Sequence, residues 1–418
     1  MFNTLRNAWK IPDLRNKILF TLTMLIIFRL GTFISVPGMN IEAIKGLVSG
    51  NGLLGFFNTI SGGAFNNFSV FTMSITPYIN ASIIMQLLTI AIPSLEALSK
   101  EGDEGRRKIA QYVRYATVVL ALIQGTAISY GLRGYLLERN FWTYTIVALS
   151  LTAGTAFLMW LGELINDKGI GNGISMLIFA GIVSGIPGGI SKLYFAYLDK
   201  TVNVFTLAIF LVVAIAIIMA VVYIQEGQRR IPVQYAKRVV GRKMYGGQST
   251  HIPLKVNQAG VIPVIFAMSL LSFPTQIASF FPNSAFYGFM VRYFDWGTIG
   301  HGLLYALLIV GFTYFYTAVT FNPVEVSNNI KKYGGFIPGI RPGKPTTDFI
   351  VKSLNRITLV GAIFLAFIAI VPIFLLKIVD IPVYFGSTSL LIVVGVAMDF
   401  VKQVEAQMVM RNYQGFLK

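Results

Sequence analysis

Cysteine is absent from all 418 residues, and histidine occurs only as His251 and His301. The first absence excludes a disulfide framework and any cysteine-ligated zinc or iron–sulfur site. The second excludes the paired-histidine motifs that hold catalytic zinc. Charge is scarce as well, at 12% of residues, roughly half of what an average soluble domain carries. So few charges cannot cover a water-facing surface of this length, whereas a lipid-facing surface needs none. A phosphate loop is missing too, because Gly343-Lys344 runs straight into Pro345 and lacks the upstream frame. Gly169-Ile170-Gly171-Asn172-Gly173 has only the look of a dinucleotide fingerprint. It opens an apolar segment with no strand before it, so a helix break or close packing accounts for it better.

What remains is apolar: 55% of residues are hydrophobic. A membrane span needs about 20 such residues in a row. Runs of that kind fall at 18–36, 68–91, 109–130, 144–163, 170–190, 203–225, 256–281, 299–321, 357–376 and 381–401. Most connections between them are short, but 226–255 and 322–356 are long. Basic residues alternate sides, with 25 on the side of the N-terminus and seven on the other. By the positive-inside rule, both termini and both long loops are expected in the cytoplasm. Residues 1–17, with Trp9, Ile11 and Leu14 among Arg6, Lys10, Arg15 and Lys17, read as an interfacial amphipathic segment and not as a secretory signal.

Residues 52–67 are apolar yet too short, and too rich in Gly and Asn, to cross hydrocarbon. Either they lie on the surface, or they re-enter the membrane beside an aqueous cavity, where irregular backbone is tolerated. Ten spans divide into five and five near 191–203, an arrangement common in small-solute carriers. Carriers place ionisable groups near the midplane to mark the ion path. Here Glu163, Asp167 and Asp399 all lie towards span ends. That weakens the carrier reading, and no polar catalytic cluster at membrane depth supports an enzyme.

Several segments then resemble one family together. They include Met73-Ser74-Ile75-Thr76-Pro77-Tyr78-Ile79-Asn80, Glu101-Gly102-Asp103-Glu104-Gly105-Arg106-Arg107-Lys108 and Asp167-Lys168-Gly169-Ile170-Gly171-Asn172-Gly173. Ala259-Gly260-Val261-Ile262-Pro263, Pro338-Gly339-Ile340-Arg341-Pro342-Gly343 and Tyr384-Phe385-Gly386-Ser387-Thr388-Ser389 follow in order. Each is weak alone, but in register they resemble the SecY family, the channel subunits of protein translocons.

The resemblance implies an all-α integral membrane protein with ten transmembrane helices in two pseudo-symmetric halves of five. These halves, 18–195 and 196–401, would form a clamshell around a central pore, with a tail at 402–418. It implies a pore ring of Ile75, Ile79, Ile174, Ile178, Ile265 and Ile392. Ile75/Ile79 and Ile174/Ile178 are also i,i+4 pairs, which share a helix face. A re-entrant plug helix at about 53–67 would carry Leu53, Leu54, Phe56, Phe57, Ile60 and Phe65. A lateral gate would involve Asn80, Ile84, Met268 and Phe273. The two long loops would dock partners through Arg229, Arg230, Lys237, Arg238, Arg242, Lys243, Lys331, Lys332, Arg341 and Lys344. Expected partners are the SecE and SecG membrane subunits, the SecA motor ATPase, the ribosome with its RNA, unfolded preproteins and the bilayer. The implied activity is passive: no catalytic site, cofactor or metal, with secretory proteins crossing a bacterial inner membrane and membrane helices leaving sideways into lipid.

Overall fold

The computed structural model describes residues 6, 8–50, 58, 61–200, 202–235, 238–240, 243–245, 249–279, 284–294, 298–379 and 387–415. Each of the ten apolar runs falls on one helix. These are α1 (Pro12–Gly31), α3 (Thr76–Ala91), α5 (Asp103–Gly131), α6 (Phe141–Lys168), α7 (Gly173–Leu198), α8 (Val204–Glu226), α9 (Ile262–Ser279), α11 (Ile299–Thr320), α13 (Lys344–Val379) and α14 (Ser387–Gly415). Shorter helices lie between them: α2 (Ile41–Gly50), α4 (Pro93–Lys100), α10 (Ala285–Phe294) and α12 (Pro323–Lys332). Among the described residues, five helices are long and apolar enough to cross a membrane by themselves. The bent pair α3–α4, turned through 100°, makes a sixth.

Helix starts follow local chemistry. Pro12 opens α1 at a position where its missing N–H costs nothing. Residues 12–17, read in sequence as part of an interfacial segment, are therefore continuous with the first span, and Leu14 and Ile18 are buried. The second run begins late. Phe68 and Ser74 have φ of 40° and 52°, a region that interrupts a right-handed helix. Residues 68–75 turn instead, and α3 opens at Thr76 with Pro77 in its first turn.

Close approach needs small residues. A side chain on Gly173 would collide with the Gly162 carbonyl, which lets α7 lie directly against α6. The turn before it is bound on three sides. Ile170 N donates to Thr21 Oγ1 (3.0 Å), Gly171 N to Gln403 Oε1 (2.9 Å) and Gly173 N to Asn166 Oδ1 (2.7 Å). The Gly-rich stretch is thus a packing joint of α1, α6, α7 and α14. At the other extreme, α8 buries only Val221 and Gln225, leaving an almost wholly apolar surface outside.

The two long connections are not loops. Residues 228–235 form β1 (Gln228–Tyr235), which pairs antiparallel with β2 (Ser249–Lys255) in the register Ile231↔Ile252. A short edge strand, Gly335–Phe336, adds to β1 at Gln234↔Phe336. The second connection holds α12, and α13 starts at Lys344, well before residue 357. Thr346, Ile350, Ser353 and Leu354 are buried while Asp348, Lys352 and Arg356 are exposed, the stripe of an amphipathic helix. Ile231, Val233, Leu254, Ile330, Ile337, Ile350 and Leu354 share one apolar cluster. The sheet, α12 and the start of α13 therefore form a folded cap with its own core.

Candidate functional site

Ile75 is the residue before α3, and its carbonyl accepts from Ile79 N at 3.0 Å, so the two side chains follow one helical turn. Asn172 caps α7, its side chain accepting from Ser175 N at 3.2 Å, and this fixes the turn that carries Ile174 and Ile178. Ile265 lies in the first turn of α9 and Ile392 early in α14. Ile75, Ile79, Ile178 and Ile392 are buried, and Ile174 and Ile265 pack half-buried against the same apolar cluster. These six apolar side chains, from the start of α3 and from α7, α9 and α14, thus belong to or border one apolar cluster.

The gate candidates lie on two helices that pack against each other, α3 and α9. Asn80 and Met268 are buried, Phe273 is half-buried beside Pro274, and Ile84 is 44% exposed. The Asn80 amide nitrogen is buried without a hydrogen-bond partner, and a group so placed costs about 1–3 kcal/mol.

Of the plug candidates, Leu53, Leu54, Phe56, Phe57 and Ile60 lie outside the described residues. Phe65 is buried in a second cluster with Val36, Met39, Leu136, Val147 and Leu151, apart from the isoleucines. Its neighbour Ala64 belongs to the isoleucine cluster, so this segment touches both.

Of the docking candidates, Arg229, Arg230, Lys331, Lys332, Arg341 and Lys344 lie on the folded cap. Arg229 and Arg230 are exposed on β1. Lys237 and Arg242 lie outside the described residues, while Arg238 and Lys243 belong to a short strand pair whose backbone alone is described. Lys331 and Lys332 end α12, where cations complement the helix dipole. Arg341 is exposed between Gly339 and Gly343, whose φ values of 82° and 103° fold the chain sharply. Its carbonyl accepts from Thr346 Oγ1 at 2.9 Å, and the Gly343 carbonyl accepts from Ser327 Oγ at 3.0 Å. The turn is pinned on both sides, and the guanidinium is free to face outward. Lys331 and Arg341 line one shallow depression of about 670 Å³ with Phe336 and Ile340. Two cations ten residues apart in sequence therefore frame a partly apolar surface.

The SecY family model matches residues 69–401, which include the α3, α7, α9 and α14 isoleucines and the basic cap. A protein translocase subunit SecY of Halalkalibacterium halodurans is 49% identical, covering 100% of both chains. The chain belongs to the SecY family. The SecY of Bacillus subtilis is likewise 49% identical over 100% of each chain, and that of Escherichia coli is 45% identical over 97% of this chain and 94% of its own. The fold agrees with solved SecY-type structures at low identity. One described as "The structure of a protein conducting channel" has a TM-score of 0.71 at 20% identity, covering 94% of this chain and 93% of that one. Another, of Sec61 in the canine ribosome-channel complex, has a TM-score of 0.66 at 17% identity, covering 94% and 93%. The ten-helix, all-α membrane architecture is that of this family.

Proposed function

We propose that this chain is the central subunit of a protein-conducting channel in a bacterial inner membrane, passing unfolded secretory proteins across and membrane helices sideways. The observation that carries the reading is likeness along the whole chain to protein translocase subunits. Residues 18–195 and 196–401 act as two halves around the pore. The six isoleucines form its waist, since apolar side chains exclude ions by dewetting while yielding to a passing chain. The 53–67 segment plugs the outer funnel, and α3 and α9 part as the lateral gate. Work comes from outside: the SecA motor or a ribosome engages the basic cap, and SecE and SecG bind as membrane subunits. The test is reconstitution of the purified complex in vesicles, with motor- and ATP-dependent uptake of an unfolded preprotein as readout. Vesicles that take up none, although the complex is intact and the motor active, refute the reading.

Orientation is set by the 25-to-seven basic asymmetry, with both termini cytoplasmic. Because no native cysteine competes, Lys243→Cys and Arg341→Cys should label only from the cytoplasmic face. Lys200→Cys and Arg292→Cys should label only from outside. Labelling of positions 243 and 200 from the same face contradicts this topology.

Docking rests on Arg341, which sits on a pinned, exposed turn. Arg341→Glu is expected to slow motor- or ribosome-driven transport at least about tenfold, because a charge-assisted contact is worth roughly 1.5–3 kcal/mol. Assembly with the partner subunits should be unchanged, as the side chain is exposed and its carbonyl, not its guanidinium, holds the turn. Loss of assembly, or transport at the wild-type rate, means that Arg341 does not dock.

A further inference from the structure

A cation stands where the first span ends, and none of the roles above uses it. Arg29 occupies the last turn of α1 and is half-buried. Its Nη1 donates to the Gly62 carbonyl and lies 3.3 Å from Ser184 Oγ and 3.5 Å from Thr32 Oγ1. The guanidinium also sits 4.9 Å over the Phe33 ring. Gly62 belongs to the segment ahead of α3, and Ser184 to α7. One side chain therefore joins three parts of the protein that are far apart in sequence.

The backbone around Gly62 supports the same contact independently. Gly62 has φ of 68°, and a side chain there would lie 3.0 Å from Ser184 Oγ and 3.1 Å from Gly181 Cα. The segment is thus pressed against α7 as closely as glycine allows. Ser61 beside it is buried, and Asn67 Nδ2 donates to the Thr32 carbonyl at 3.3 Å. Asn58 Oδ1 accepts from Asn66 N at 2.9 Å, closing the turn on itself.

A cation half-withdrawn from water at the end of an apolar helix needs acceptors. The oxygens around Arg29 named here are neutral. Bonds from a guanidinium to a carbonyl and a hydroxyl are charge-assisted and directional, yet water supplies equivalent oxygens when it enters. A carboxylate in their place would be far harder to part from a buried cation. Arginine suits the task because Nη1 alone reaches the Gly62 carbonyl and the Ser184 hydroxyl while the planar guanidinium lies over Phe33.

We propose that Arg29 is a positioning residue, the latch that holds the 61–67 segment against α7 and releases it when water fills the outer funnel. This rests on the reading of that segment as the plug of a protein channel.

The cysteine-free chain makes the test direct. Ser61→Cys is introduced into the assembled complex in vesicles, and its modification by a membrane-impermeant thiol reagent is timed from the outer face. Arg29→Gln is expected to speed modification at least about tenfold, the effect of one lost charge-assisted hydrogen bond, and to raise resting ion conductance. Arg29→Lys, which keeps the charge and loses the planar guanidinium, should fall between it and wild type. Ser184→Ala removes one acceptor without touching the cation and should give a rise of about two- to threefold. Wild-type kinetics in Arg29→Gln overturn the latch, as do wild-type kinetics in Ser184→Ala should the Arg29 variants fail to assemble. Preprotein uptake is measured on the same wild-type vesicles. If uptake fails, the channel reading falls while the labelling still decides the latch. If uptake succeeds and labelling does not respond, the latch alone falls.

Discussion

A disulfide across the seam between α3 and α9 is expected to stop preprotein uptake almost completely, and a longer flexible crosslinker at the same sites is expected to restore it. One cysteine is scanned through residues 80–84 and the other through 268–273. The two helices pack against each other, and a disulfide forms where Cβ atoms approach to about 3.5–4.5 Å. Parting α3 from α9 along the membrane is required of a channel that releases apolar segments into lipid, and the short lock forbids it. If α3 and α9 are the gate, one buried group favours their parting. Asn80 is buried there with its amide nitrogen unpartnered, an energetic penalty on the closed state of about 1–3 kcal/mol. Asn80→Leu removes that penalty and should slow uptake without blocking it. A formed disulfide that leaves uptake intact, or a scan in which no pair crosslinks, removes α3 and α9 from the gate.

Ten helices were legible because hydropathy reports burial in lipid directly, and each apolar run became one helix. The ring candidates came only from motifs. Isoleucine occurs in most of the spans, and no periodicity separates the buried Ile79 from Ile26, which is 60% exposed. The folded cap was missed because span-length windows average away amphipathic elements. Its signal was nevertheless present. Ile231-Pro232-Val233 and Ile252-Pro253-Leu254 repeat one pattern, and the structure pairs Ile231 with Ile252. Alternation of buried Ile231 and Val233 with exposed Pro232 is the period of a half-buried strand. The start of α13 showed the helical counterpart in Thr346, Ile350 and Leu354. Arg29 is a different kind of miss. The sequence places a lone cation near a span end, but an acceptor that is a backbone carbonyl, at Gly62, leaves no trace in residue identity. Only the fold brings the two together.

The largest effect on resting permeability is expected from replacing Ile79, Ile178 and Ile392 together by Asn. The three side chains come from α3, α7 and α14, are each 7% exposed or less, and belong to one apolar cluster. Water leaves a narrow passage when every wall is apolar, because molecules inside lose hydrogen bonds that no side chain replaces. An amide on three of the contributing helices restores those bonds, and a wetted waist conducts ions. Planar-bilayer conductance of the resting complex should rise at least about tenfold. The matched control is Val at all three positions, which keeps the walls apolar at about 0.5–1.5 kcal/mol per site in packing. Leak in the Val variant equal to that in the Asn variant would point to loosened packing instead of wetting. Because the three sites lie on three different helices, a defect in one local contact cannot reproduce the Asn result. An intact, assembled Asn variant with wild-type conductance would show that these isoleucines are core and not seal. The waist would then have to be sought elsewhere along α3, α7, α9 and α14.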